Sequence, residues 1–132
     1  MLASQRSRSQ FLFGLFLQES DLHIGNVTLN DVDWIDRRSH TGLIIGNKEY
    51  WRRGIAFEAW SLLLEYAFKQ LGLRKVTAGA IEGHDASLAV LRKLGFREEG
   101  LFKQEVWAAG SHRDVHRMAI FADSVVEPPK TA

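Results

Sequence analysis

The chain has 132 residues, 45% of them hydrophobic and 25% charged, which is the composition of one globular domain with its own core. Its formal net charge of +1 gives no electrostatic footprint for nucleic acid or an anionic membrane. The lack of cysteine excludes disulfides, thiolate metal sites and a cysteine nucleophile, and it suits a reducing cytoplasm.

One domain over residues 1–132 is expected, with tails at 1–9 and 123–132, the second carrying Pro128-Pro129. The apolar run from Phe11 to Leu17 follows Arg6 and Arg8, in the manner of a leader sequence, but is too short to span a bilayer. It leads into Gln18-Glu19-Ser20-Asp21 without a small-residue cleavage site, so it reads as a strand. Residues 10–18 and 22–29 are β-rich runs around a turn and form a hairpin. The polar stretch 31–39 reads as a connection, and residues 41–45 as a short third strand.

Residues 54–71 carry Ala56, Ala59, Trp60, Leu63, Leu64, Ala67, Phe68 and Leu71 at helical spacing. Gly72 follows as a helix-closing glycine. A strand over 74–81 comes next, and then a helix capped by Asp85 that places Leu88, Leu91 and Leu94 on one side and ends at Gly95. Two strands, 102–108 and 115–121, flank a turn at Gly110-Ser111. The order β-β-β-α-β-α-β-β predicts an α/β layer protein with a mixed sheet. Most of the four tryptophans and eight phenylalanines fall at periodic positions, as core residues do.

Between the third strand and the first helix stands Tyr50-Trp51-Arg52-Arg53-Gly54-Ile55-Ala56. A turn of this kind presents free backbone N–H groups at a helix N-terminus, and such groups bind phosphate. Gly54 allows close approach, and Arg52 and Arg53 add positive charge; a glycine there also serves simple turn geometry. His112, Asp114 and His116 alternate along a strand and so share a face, as two histidines and a carboxylate would at an iron site. The two helices upstream of them fit a solvated strand face better. The dipeptide His84-Asp85 is too short to indicate a metal phosphohydrolase, and Arg37-Arg38 with Arg52-Arg53 is no nucleic-acid patch at this net charge.

Residues 49–59 resemble the pyrophosphate loop and following helix of the GNAT superfamily of N-acetyltransferases, especially its RimJ/RimL-type branch, with Gly54 and Ala56 matching the glycine-x-glycine/alanine pair. His84-Asp85-Ala86-Ser87 and Leu91-Arg92-Lys93-Leu94-Gly95-Phe96 resemble that branch's later motifs, continued by Glu98-Glu99-Gly100, Gly110 and Asp114. Residues 24–29 resemble the strand before the cofactor strand, and the similarity spans residues 10–122.

The resemblance implies a mixed, mostly antiparallel sheet with a V-shaped splay between the third and fourth strands. Acetyl-CoA, the cosubstrate, would lie between residues 43–45 and 76–80, its pantetheine amides paired with the backbone of Leu43, Ile44 and Ile45. Its pyrophosphate would rest on the N–H groups of Arg52, Arg53, Gly54, Ile55 and Ala56, with Trp51 opening the loop. His84 and Ser87 would face the pantetheine or adenosine. The acceptor would be a primary amine of a protein N-terminus, a polyamine or an amino sugar, and no metal is implied.

The sequence departs from the family pattern at three points. His84 replaces an asparagine, Leu91 stands where many members carry a thiolate-protonating tyrosine, and the pattern places a strand and two acceptor-binding helices ahead of the first strand here. His40, where the branch commonly has glutamate, is the expected general base, because imidazole titrates in the useful range. Glu19 and Asp21 are weaker candidates, and a backbone N–H of residues 43–45 would stabilise the oxyanion. The alternative is a non-catalytic CoA-binding or interaction module. Phe11, Phe13, Leu15 and Leu17 on one face of the first strand, with Leu12 and Phe16 on the other, predict burial on both sides and a homodimer contact nearby.

Overall fold

The computed structural model describes residues 9–46, 48–50 and 54–124. The chain runs through β1 (Phe11–Phe16), β2 (His23–Asp33), β3 (Arg38–Ile45), α1 (Ile55–Glu65), β4 (Lys75–Ile81), α2 (Asp85–Leu94), β5 (Arg97–Ala108) and β6 (Ser111–Phe121). Among the described residues these strands make one six-stranded sheet in the order β1-β2-β3-β4-β6-β5. Every neighbouring pair is antiparallel except β3 and β4, which are parallel and need a crossover; α1 supplies it. The expected mixed, mostly antiparallel sheet is what forms.

Alternation along the strands sorts the sheet into two unlike faces. Val27, Leu29, Val76, Ala78, Met118 and Ile120 point to the side where α1 and α2 pack, and all are buried. The inner face of α1 follows the helical repeat with Ala59, Trp60, Leu63 and Leu64, while α2 contributes Leu91 and Leu94. The polar groups on this side are satisfied. Trp60 Nε1–H donates to Thr41 Oγ1 at 3.2 Å, and that hydroxyl donates to the Thr28 carbonyl at 2.7 Å. The opposite face carries Asn26, Thr28, Asn30, His40 and Thr77, and no described helix covers it.

The elements differ from the sequence reading in several places, and β5 and β6 begin at Arg97 and Ser111, ahead of the expected 102 and 115. β2 runs through Asp33 and β3 starts at Arg38, so most of the polar stretch is strand. Buried Val32 and Ser39 hold it in the sheet, and Asp33 Oδ1 closes the turn by accepting the Ile35 and Asp36 amides at 3.0 and 2.9 Å. The first helix is regular only to Glu65; Tyr66–Gln70 is a π-helical turn, and Gly72 follows at φ +70° as the sequence suggested. His84, not Asp85, occupies the N-cap of α2, and Asp85 opens its first turn. Finally, β1 is not buried on both sides. Phe11, Phe13 and Leu15 pack on the core, with Phe13 and Tyr66 rings edge-on at 5.5 Å, but Phe16 is 58% exposed.

Candidate active site

The parallel β3–β4 ladder pairs Arg38 with Lys75, Ser39 with Val76, His40 with Thr77 and Thr41 with Ala78, and there it stops. Beyond that point each strand keeps only its outer partner, β3 with β2 up to Ile45↔Gly25 and β4 with β6 up to Ile81↔Val115. The sheet therefore parts into a wedge. One lip is formed by Gly42, Leu43, Ile44 and Ile45 and the other by Gly79, Ala80 and Ile81. The Gly42 carbonyl turns back to β2, where it accepts from Thr28 Oγ1 at 3.4 Å, and of the backbone groups past Thr41 those on the β4 side have no strand opposite. Such groups need polar partners, and an extended ligand with amides of its own can supply them.

Because β3 and β4 are parallel, their carboxyl ends lie together at the open end of the wedge, and so do the starts of the helices that follow them. This is where open α/β sheets take ligands. Gly54 sits at the N-cap of α1 in the left-handed region, at φ +78°. Its carbonyl accepts the first helical bond from the Glu58 amide at 3.0 Å, and a Cβ added there would meet nothing within 4 Å. Ile55 and Ala56, both half-buried, make the first turn. At α2, exposed His84 holds the N-cap position without a side-chain cap bond, and half-buried Ser87 lies one turn on. Leu91 is fully buried in the core, so no side chain from that position reaches a leaving group. Trp51, Arg52 and Arg53 lie outside the described residues.

His40 stands at the apex of the wedge, one residue before the ladder ends. Its Nδ1 lies 2.8 Å from the hydroxyl of Thr77, its cross-strand partner, and that hydroxyl is 3.4 Å from the Ser39 carbonyl. Burial pushes the imidazole below its usual pKa and the Arg117 guanidinium adds to this, while Asp31 acts weakly the other way. The ring is thus biased toward its neutral form. Glu19 and Asp21 lie exposed in the β1–β2 turn, at the same end of the sheet as Ile45.

Thr77 and Arg117 were not singled out from sequence. The alternation of Thr77 with buried Val76 and Ala78 was the available sign that its hydroxyl shares a face with His40. The alternating triplet on β6 is spoken for elsewhere. His116 Nδ1 is 2.9 Å from Glu98 Oε1, and Asp114 Oδ1 accepts the Gln104 amide at 2.8 Å. Among the described residues no three histidines or carboxylates cluster as metal ligands would, and no helix is long and apolar enough to cross a membrane.

A mixed sheet parted between two parallel strands, each followed by a helix, defines an α/β domain with an open gap between β3 and β4. The family model described as "Acetyltransferase (GNAT) domain" matches residues 1–97, and the chain belongs to that family. It is 34% identical over 91 residues to the putative ribosomal N-acetyltransferase YdaF of Bacillus subtilis, covering 69% of this chain and 49% of that one. It is 32% identical over 107 residues to the spermidine N(1)-acetyltransferase of Escherichia coli, covering 81% and 57%. A dodecameric spermidine N-acetyltransferase from Vibrio cholerae superposes with a TM-score of 0.83 at 25% identity, covering 91% of this chain and 69% of that one. The chain thus spans between about half and three fifths of the length of the two relatives matched by sequence.

Proposed function

We propose that this chain is an acetyl-CoA-dependent N-acetyltransferase domain of the RimJ/RimL-type branch, acting on a primary amine. The observation that carries the reading is the end of the β3–β4 ladder at Thr41↔Ala78, in a chain of the GNAT family. Acetyl-CoA supplies an activated acetyl thioester. The lip of Leu43, Ile44 and Ile45 offers backbone groups to the pantetheine amides, and a backbone N–H of the same lip stabilises the oxyanion. The first-turn amides of α1, at Gly54, Ile55 and Ala56, receive the pyrophosphate, and the sequence adds the charges of Arg52 and Arg53 beside Trp51. His84 and Ser87 flank the pantetheine or adenosine from the start of α2.

His40 takes the proton that the acceptor nitrogen loses as its bond to the acetyl carbon forms and the carbon–sulfur bond breaks. Transfer is direct, in a chain without cysteine to carry the acetyl group, and it needs no metal. Similarity to a spermidine acetyltransferase and to a putative ribosomal one supports a polyamine or a protein N-terminus as acceptor, with an amino sugar as the third class. We place the protein in the cytoplasm, self-associated, with neither nucleic acid nor membrane as partner. A second reading, a CoA-binding module without activity, draws on the partial coverage of its relatives.

The test is thiol release from acetyl-CoA by the full chain with spermidine, an N-terminal peptide and an amino sugar, beside calorimetry of acetyl-CoA binding. Turnover on any amine supports the enzyme. Binding without turnover selects the module, and neither would remove both readings.

A further inference from the structure

We propose that Thr77 is a positioning residue that fixes His40 in the tautomer protonated on Nδ1, leaving Nε2 as the basic nitrogen. Its mechanistic consequence rests on the reading of His40 as general base; the tautomer itself does not. Thr77 and His40 are direct cross-strand neighbours in the last stretch of the β3–β4 ladder, so ring and hydroxyl share one face of the sheet. Thr77 is only 7% exposed, and its β-branched side chain has few rotamers to choose from. Its hydroxyl therefore meets protein groups rather than bulk water.

Two acceptors compete for the single hydroxyl proton of Thr77. The Ser39 carbonyl lies 3.4 Å away and can only accept, while His40 Nδ1, at 2.8 Å, can either accept or donate. When Nδ1 carries the proton, it donates to Thr77 Oγ1 and the hydroxyl donates to Ser39, so both contacts are hydrogen bonds. When Nε2 carries it, the hydroxyl must turn to Nδ1, and the Ser39 contact becomes two oxygens facing each other. The first arrangement makes two bonds where the second makes one. The charged groups acting on the ring are Arg117 from β6 and Asp31 from the β2–β3 side.

The experiment is long-range proton–nitrogen correlation of the His40 ring in the ¹⁵N-labelled full chain, above the pH at which it titrates. The expected spectrum shows Nδ1 protonated and Nε2 bare. Thr77→Val should shift the ring toward the Nε2–H form favoured by a free histidine side chain, and Thr77→Ser should restore the wild-type pattern. A wild-type ring protonated on Nε2, or a Thr77→Val spectrum identical to wild type, overturns the proposal. In acetyl transfer, Thr77→Val should lower kcat by about tenfold or more with KM for acetyl-CoA unchanged, and Thr77→Ser should recover most of it. A shifted tautomer with an unchanged rate would uphold the Thr77 assignment and instead remove His40 from catalysis.

Discussion

As the proposed base, His40 gains from being half-buried. Burial and Arg117 both disfavour the imidazolium, so the ring is less protonated than a solvated histidine at the same pH. Since the neutral ring is the active form, the acid limb of kcat/KM should fall below pH ~6.5, the ordinary histidine value. His40→Ala should abolish that limb and lower the rate by roughly 10²-fold, most severely near neutral pH, where acceptor amines are protonated. A mutant with normal rate and an unaltered pH profile would make His40 a bystander. Gly54 is critical in another way, through its backbone. At φ +78° with open space around it, a larger side chain there carries backbone strain and projects into the proposed pyrophosphate site. Gly54→Leu should weaken acetyl-CoA binding at least tenfold, about 1.4 kcal/mol, by calorimetry on folded protein. Gly72→Leu, equally strained at φ +70° but beyond the C-terminal end of α1, should leave affinity unchanged and so separates strain from site. Gly54 was legible from its place between strand and helix. His40 was legible only through the family position it fills. Thr77 was legible only as a polar residue alternating with Val76 and Ala78; its pairing with His40, 37 residues away, was not.

At the scale of elements, what could be read was what repeats. Two helices and a β-rich remainder followed from apolar spacing, but no spacing rule shows that Tyr66–Gln70 widens into a π turn or where the parallel ladder stops. Those depend on packing partners distant in sequence, such as the Phe11 and Phe13 rings edge-on to Tyr66. The wedge also depends on a close approach at its mouth. Gly25 of β2 lies opposite Ile45, and a Cβ on it would fall against the Ile44 carbonyl, which is backbone and cannot swing aside as a side chain can. Gly25→Ala should therefore displace the Ile44–Ile45 lip. We expect a loss of stability of about 1–3 kcal/mol, the scale of overpacking, in denaturant unfolding. Acetyl-CoA affinity should fall with it. Full stability and affinity would mean that β2 and β3 can separate there without disturbing the lip.

For the molecule as a whole, the two faces of the sheet pose different problems. Helices α1 and α2 cover one, while the other presents polar Asn26, Thr28, Asn30, His40 and Thr77, and so is compatible with water along most of its length. Phe102 and Phe121, 39% and 40% exposed, interrupt that polar face on β5 and β6, and a further apolar patch lies at the open end. Phe16 is 58% exposed and Ile44 70% exposed, on neighbouring parts of that face, with the Phe16 ring stacked on His23 at 4.9 Å. Phe11, Phe13 and Leu15 are already packed on the core, so the apolar surface left at β1 is smaller than its sequence suggested and centres on Phe16. A second copy of the chain is the occupant we expect, because the Phe16 ring is the exposed apolar group that β1 presents. In a two-fold contact each substitution acts twice, and fully burying one phenylalanine ring contributes about 1.5–3 kcal/mol. The full chain should sediment as a dimer or larger species at micromolar concentration. Phe16→Glu, which removes nothing from the core, should weaken that association by more than tenfold while leaving the melting of the isolated fold nearly unchanged. A wild-type chain that stays monomeric would end the self-association reading, and an assembly indifferent to Phe16→Glu would move the contact away from β1.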